Sequence, residues 1–277
     1  MSRAFAASGL APIVQDSQRR AQSIRHRILD TAFHANKGHL GSSLSVCEIL
    51  TALGLVVRGF GSSSEMRDRL ILSKGHSSLA LYCALVEFGV HNPDILTKYC
   101  QDDSLLQTHP DHELAGVEFI TGSLGQGIGY GVGIALAAKL TKREFRTFVV
   151  LSDSELNEGS TIEAAAIAGT QSLSSLVVVL DLNGQQALGF TNDVLRVGNP
   201  SRTWSEMGWD IEEVPGHDTT ALINALRRDS NVQQPKLVIA HTVAGKGVSF
   251  MERKIEWHYL PMTRTQYETA IAEVTNE

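Results

Sequence analysis

The chain has 277 residues, 43% of them hydrophobic, which fits one large α/β core and excludes disorder as its default state. A formal net charge of −6, with charged residues at 19%, carries no basic excess. Nucleic acid and anionic membrane surfaces therefore gain no electrostatic support, and a small-molecule substrate is the better expectation.

The opening MSRAFAASGLAPIV lacks a continuous apolar run, so residues 1–15 are expected to form a loose arm ahead of a single domain over 16–277. Three cysteines, Cys47, Cys83 and Cys100, are too few and too widely spaced for a disulfide framework, which points to a reducing, cytoplasmic setting. No segment approaches the roughly 18 to 20 apolar residues of a membrane span, so a soluble, unprocessed protein is expected.

From Ser17 to Ala35 the apolar positions Ala21, Ile24, Ile28 and Ala32 recur at helical spacing. Ser45-Val46-Cys47-Glu48 reads as a capping box opening a second helix to about Val57. Leu70 to Leu72 is a short apolar strand, and Leu79 to Phe88 a helix closed by Gly89. The alternation continues with strand Phe148 to Leu151, helix Thr161 to Ala168, strand Leu176 to Asp181, helix Ala221 to Leu226 and strand Leu237 to Ala240. This pattern predicts an α/β fold, a mostly parallel sheet with helices on both faces. The tail after Thr263 shows too little pattern to assign.

In such sheets ligands bind beyond the carboxyl ends of the strands, and the polar clusters fall there. His76 follows one strand, Asp153 a second, Asn183 a third and the segment around Gly245 a fourth. Asp153 and Asn183 lie thirty positions apart (183 − 153), the room needed for a helix and the return to an adjacent parallel strand. A carboxylate, an amide oxygen and a nearby carbonyl suit an octahedral Mg²⁺ that completes its shell with phosphate oxygens and water, with Ca²⁺ or Mn²⁺ as substitutes. The glycines at 122–133 contain no complete G-x-G-x-x-G, and Gly245-Lys246 is followed by Gly247 rather than Ser or Thr, so Rossmann, NAD-dependent and P-loop readings weaken. Of Gly127, Gly129, Gly131 and Gly133, the last three are read as sites of close helix packing. His109-Pro110-Asp111-His112 has no nearby cysteine and a proline between its histidines, which disfavours zinc.

A strand, an Asp flanked by small residues and an Asn about thirty residues later resemble the signature of thiamine diphosphate enzymes, and the match is to transketolases. Lys37-Gly38-His39-Leu40-Gly41, Leu72-Ser73-Lys74-Gly75-His76 and Gln107-Thr108-His109-Pro110 resemble the family's three histidine loops in order. Thr121-Gly122-Ser123-Leu124-Gly125-Gln126-Gly127 resembles its Gly-rich loop, and Lys246-Gly247 with Trp257-His258 the closing segment of its stand-alone N-terminal subunits. A lone His beside Gly is usually a turn residue, but four such loops in family order argue otherwise.

The resemblance implies thiamine diphosphate as cofactor and a metal held by Asp153, Asn183 and the carbonyl of Gln185. It implies that His76, Gly122, Ser123, Leu124, Asp153, Ser154, Glu155, Asn183 and His258 bind the cofactor, and that His39, His76, His109 and His258 serve the chemistry. His76 and His258 reach the diphosphate, while His39 and His109 face the sugar. The implied reaction moves a two-carbon ketol unit from a ketose phosphate or related polyol to an aldose. The family's activating glutamate lies in a pyrimidine-binding domain that this sequence does not match. The expected partner is therefore a second subunit carrying that domain, in a dimer of heterodimers to whose interface Glu158 and Glu163 contribute.

Departures also occur. The usual Gly-Asp-Gly is Ser152-Asp153-Ser154, Ile162 stands where the family has Trp, and Tyr259 follows His258 where Gly is usual. They leave open a thiamine-dependent carboligase or decarboxylase subunit, or a non-catalytic assembly subunit.

Overall fold

A computed structural model describes residues 10–227 and 233–276 of the chain. In chain order the elements are α1 (Leu10–Ala35), α2 (Leu40–Ser45), α3 (Cys47–Val56), β1 (Arg69–Leu72), α4 (Ser78–Glu87), α5 (Gly127–Thr141), β2 (Thr147–Ser152), α6 (Gly159–Thr170) and β3 (Leu176–Leu182). There follow a two-strand ribbon β4 (Gln185–Gln186) and β5 (Gly189–Phe190), then α7 (Thr191–Val194), α8 (Pro200–Glu206), β6 (Asp210–Pro215), α9 (Thr219–Arg227), β7 (Lys236–His241) and α10 (Arg264–Thr275). The first helix begins at Leu10, so it takes in part of the stretch expected to be an arm; residues 1–9 of that stretch lie outside the described residues.

Five strands form one parallel sheet in the order β1-β2-β3-β7-β6. Along β2, β3 and β7 successive side chains serve opposite faces. Phe148, Val150, Val177, Val179, Val238 and Ala240 pack with α1, α3, α4, α9 and α10. Val149, Leu151, Val178, Leu180, Leu237 and Ile239 pack with α5, α6 and α8. A strand covered on both faces needs an apolar residue at every position, which is why these runs read as continuous rather than alternating. Each fully buried aliphatic side chain in them contributes about 1.5–3 kcal/mol. Ala21, Ile24, Ile28 and Ala32, the helical stripe of α1, are all at most 3% exposed.

Two sequence expectations change. Ser45 and Glu48 form no capping box: the residue before α3 is Val46, which makes no side-chain cap. Ser45 donates instead to Asp181 at 2.6 Å, and Glu48 pairs with Arg25 and His217, because buried charges recruit these side chains more strongly than a helix terminus does. Close packing holds for Gly131, whose Cβ position is occupied by Val149 of β2, but not for Gly129 and Gly133, which are exposed with nothing within 4 Å. The unassigned tail is α10, started by a capping box of Thr263 and Gln266.

Candidate cofactor site

The parallel register brings the carboxyl ends of β1, β2, β3 and β7 to one edge, so the loops beginning at Ser73, Asp153, Asn183 and Thr242 converge. Beneath them lies a buried ion pair. Lys74 and Asp181 are both fully buried, and the Lys74 ammonium donates to Asp181 Oδ2 and to the Ser42 carbonyl at 3.2 Å. Asp181 also accepts from Ser45, from Thr242 and from Asn183 Nδ2 at 3.5 Å. Burial works against its ionisation, but Lys74 and these donors outweigh it and hold the carboxyl below its ordinary value. One anion thus fixes the β1 loop, the end of α2, the β3 end and the β7 end.

A second carboxylate, Glu155, ties the other side. It accepts from Ser73 Oγ, from Gly125 N at 3.0 Å and from Ser152 N at 2.9 Å, joining the Gly-rich loop to β1 and β2. Glu155 is fully buried and its oxygens are taken up by these bonds, so it braces the loops and does not face the cleft.

Asp153 is fully buried. Its Oδ2 accepts from Gly184 N at 2.7 Å and Thr191 Oγ1 at 2.9 Å, while its Oδ1 is buried without a partner. Burial, aided by the nearby Asp181 charge, pushes its carboxyl up to about 6. Asn183 Oδ1 accepts Gln185 N at 2.9 Å in the tight turn through Gly184, whose φ is +77°. An unpartnered buried carboxylate oxygen beside an amide oxygen fits a hard divalent cation. Among the described residues no three His, Cys, Asp or Glu side chains cluster to hold a metal.

His39, His76 and His258 close the cleft. Their ring centroids are 6.0 Å apart for His39 and His76, 5.6 Å for His39 and His258, and 5.4 Å for His76 and His258. His39 sits in the left-handed region at φ 60°, and its N–H donates to the His258 carbonyl at 3.1 Å. Gly41 accepts from Gly245 N at 2.9 Å, so the first and last histidine loops are laced backbone to backbone. His109 lies against Gly122, whose absent side chain leaves the ring room, and Tyr82 holds the loop by donating to the Gln107 and His109 carbonyls, each at 3.1 Å. Burial lowers His258 to about 4, and burial with the Lys74 charge puts His76 well below its ordinary value. Burial and His109 lower His39. Neutral imidazoles therefore line the cleft, able to donate an N–H without a full charge.

His39, His76, His258, Ser154, Asn183 and Gln185 are thus brought together, with His76, Ser154, Asn183, Gln185 and His258 lining one cleft. Ser123 is exposed and Leu124 half-buried on the Gly-rich loop. Sequence reasoning did not give functions to Lys74, Asp181, Ser73, Thr191 or Thr242. Asp181 was detectable: a charged residue inside an apolar strand must be paired.

Residues 16–272 match the family described as the transketolase, thiamine diphosphate binding domain. The chain is 36% identical over 266 residues to an apulose-4-phosphate transketolase subunit of Phocaeicola vulgatus, covering 95% of each. It is 33% identical to the 6-deoxy-6-sulfo-D-fructose transketolase subunit SqwG of a Clostridium species, covering 95% of this chain and 97% of that one. The crystal structure of transketolase from Campylobacter jejuni superposes with a TM-score of 0.88 at 27% identity. That match takes in 95% of this chain and 43% of the other, so the chain spans less than half the length of this solved transketolase. The strand-end Asp and Asn, the ordered histidine loops and these matches agree: the chain belongs to the transketolase family, as its thiamine diphosphate-binding domain.

Proposed function

We propose that this chain is the cofactor-binding subunit of a two-component transketolase, moving a ketol unit from a ketose to an aldose. The carrying observation is the unpartnered, buried Oδ1 of Asp153, whose neighbours Ser152, Ser154 and Asn183 line a cleft closed by neutral histidines. Asp153, Asn183 and the Gln185 carbonyl hold a divalent cation, Mg²⁺ by the hardness of the ligands, and through it the diphosphate. When bound, thiamine diphosphate supplies the carbanion that carries the two-carbon unit. Ser154, His76 and His258 line the diphosphate end; Gly122, Ser123 and Leu124 approach the rings; Glu155 braces the loops. His39 and His109 donate N–H to sugar oxygens and carry protons to and from them, and the lowered value of His39 lets its neutral imidazole do both.

The partner subunit brings the pyrimidine domain and the activating carboxylate, in a cytoplasmic dimer of heterodimers. Exposed Leu140, Ile167 and Glu163 on α5 and α6 offer it surface to cover. The names of the two subunit relatives, one for a sugar phosphate and one for a sulfo sugar, support a ketose donor bearing an anionic group.

The test is to recover the partner by co-purification and assay ketol transfer from xylulose 5-phosphate against carboligation from pyruvate. Transfer by the mixture and by neither component alone is expected. Asp153→Ala is expected to lower turnover more than about 100-fold, the scale of losing a metal that orients and neutralises the diphosphate. Wild-type turnover by that variant would contradict the assignment.

A further inference from the structure

The cleft lined by the neighbours of Asp153 holds groups whose need is opposite to that of its unpartnered oxygen. Gln185 and Gln186 form β4 and both line it. Gln185 Nε2 and Gln186 Nε2 are each buried without a hydrogen-bond partner, and Gln186 is only 7% exposed. Gln186 is not free to turn, because its Oε1 accepts Asn157 Nδ2 at 3.1 Å. That bond commits the acceptor end of the side chain to the protein and leaves the donor end unused. Ser154 adds a hydroxyl on the same cleft, bonded to Ser152 Oγ at 2.8 Å. The Ser152 hydroxyl donates to Glu155 Oε2 at 3.3 Å, so between the two serines Ser154 is the donor and its proton is spent inside the protein.

Buried amide nitrogens without acceptors are rare and costly to leave so. An oxyanion answers both needs at once: its oxygens accept from the amides while its charge draws the cation that Asp153 lacks. We propose that Gln185 and Gln186, the latter oriented by Asn157, are direct side-chain donors to the non-bridging oxygens of the bound diphosphate. This rests on the cofactor reading above and extends it. The chain grips the diphosphate by its own side chains as well as through a metal. The glutamines here supply by hydrogen bonding what small backbone-exposing residues supply by close approach.

The experiment is calorimetric titration of the chain, in complex with its co-purified partner subunit, with thiamine diphosphate and, separately, inorganic pyrophosphate, each in excess Mg²⁺. Gln185→Met and Gln186→Met keep side-chain length and remove the donor. Each is expected to raise Kd for both probes about tenfold, the worth of one hydrogen bond to a charged oxygen. Asn157→Asp turns the Gln186 amide around, so that its nitrogen faces the new carboxylate. It is expected to weaken binding about tenfold in the wild type and less than about twofold in the Gln186→Met background, as a residue acting through Gln186 must. Thermal melting of each variant separates loss of binding from loss of fold.

Unchanged affinity of the double Met variant for both probes, with thiamine diphosphate still bound, overturns this inference and leaves the cofactor reading intact. Pyrophosphate binding that depends on the glutamines, without thiamine diphosphate binding, keeps the donor pair and sinks the cofactor reading. A wild-type complex that binds neither probe sinks both.

Discussion

Lys74 and Asp181 share one enclosed bond, so each charge is tolerable only while the other is present. Lys74→Met is expected to destabilise the chain by about 3–5 kcal/mol, because it strands a buried carboxylate. Lys74→Met with Asp181→Leu should recover most of that loss, as chemical denaturation of the two variants will show. At His258 the relevant quantity is the proton. Its folded value, about 4, lies below the ordinary 6.5, so between those values the unfolded chain binds the proton more readily and falling pH favours unfolding. Stability measured from pH 6.5 down to pH 4 should therefore fall more steeply in the wild type than in His258→Gln. Equal slopes would show that burial does not disfavour the imidazolium. The residues that carry these effects were unequally legible. His258 and Asp153 announce themselves by motif, whereas Glu155 and Lys74 act through bonds to Ser73, Gly125 and Ser42, partners that only the folded chain brings near.

Helix α6 ends against the turn between α8 and β6: a Cβ at Gly169 would collide with the Met207 carbonyl, and Trp209 Nε1 donates to Ala165 O at 2.9 Å across the same seam. Gly169→Ala is expected to lower the melting temperature by several degrees, as backbone displaced in a core typically costs about 1–3 kcal/mol. Gly133→Ala, on the open side of α5, is expected to be neutral or to stabilise the isolated chain by up to about 1 kcal/mol, because alanine restricts the unfolded chain at a helical site. Parallel melting curves compare the pair directly. The sequence treats these glycines alike, since helical spacing says which residues share a face but not which face meets a neighbour. For the same reason β6 escaped notice: Asp210, Glu212 and Glu213 give an edge strand that is apolar on neither face. The central strands were legible because double burial leaves no polar position in them.

At the scale of the molecule, alternating strands and helices were enough to imply a parallel sheet, and the thirty-residue spacing of Asp153 and Asn183 was enough to set their strands side by side. The order of strands was not legible, because β7 enters between β3 and β6 and nothing local marks that insertion. Nor could spacing reveal that the histidine loop at one end of the chain is bonded to the one at the other. A Cβ at Gly38 would strike the Tyr259 carbonyl, and His39 N–H reaches the His258 carbonyl, so each loop takes its shape from the other. During synthesis the early loop must wait for residues near 258 to leave the ribosome, and the reactive cleft can be completed only as that later segment docks. A nascent chain that has passed β7 but not yet reached that segment can build its sheet, yet it cannot close the cleft around a cofactor.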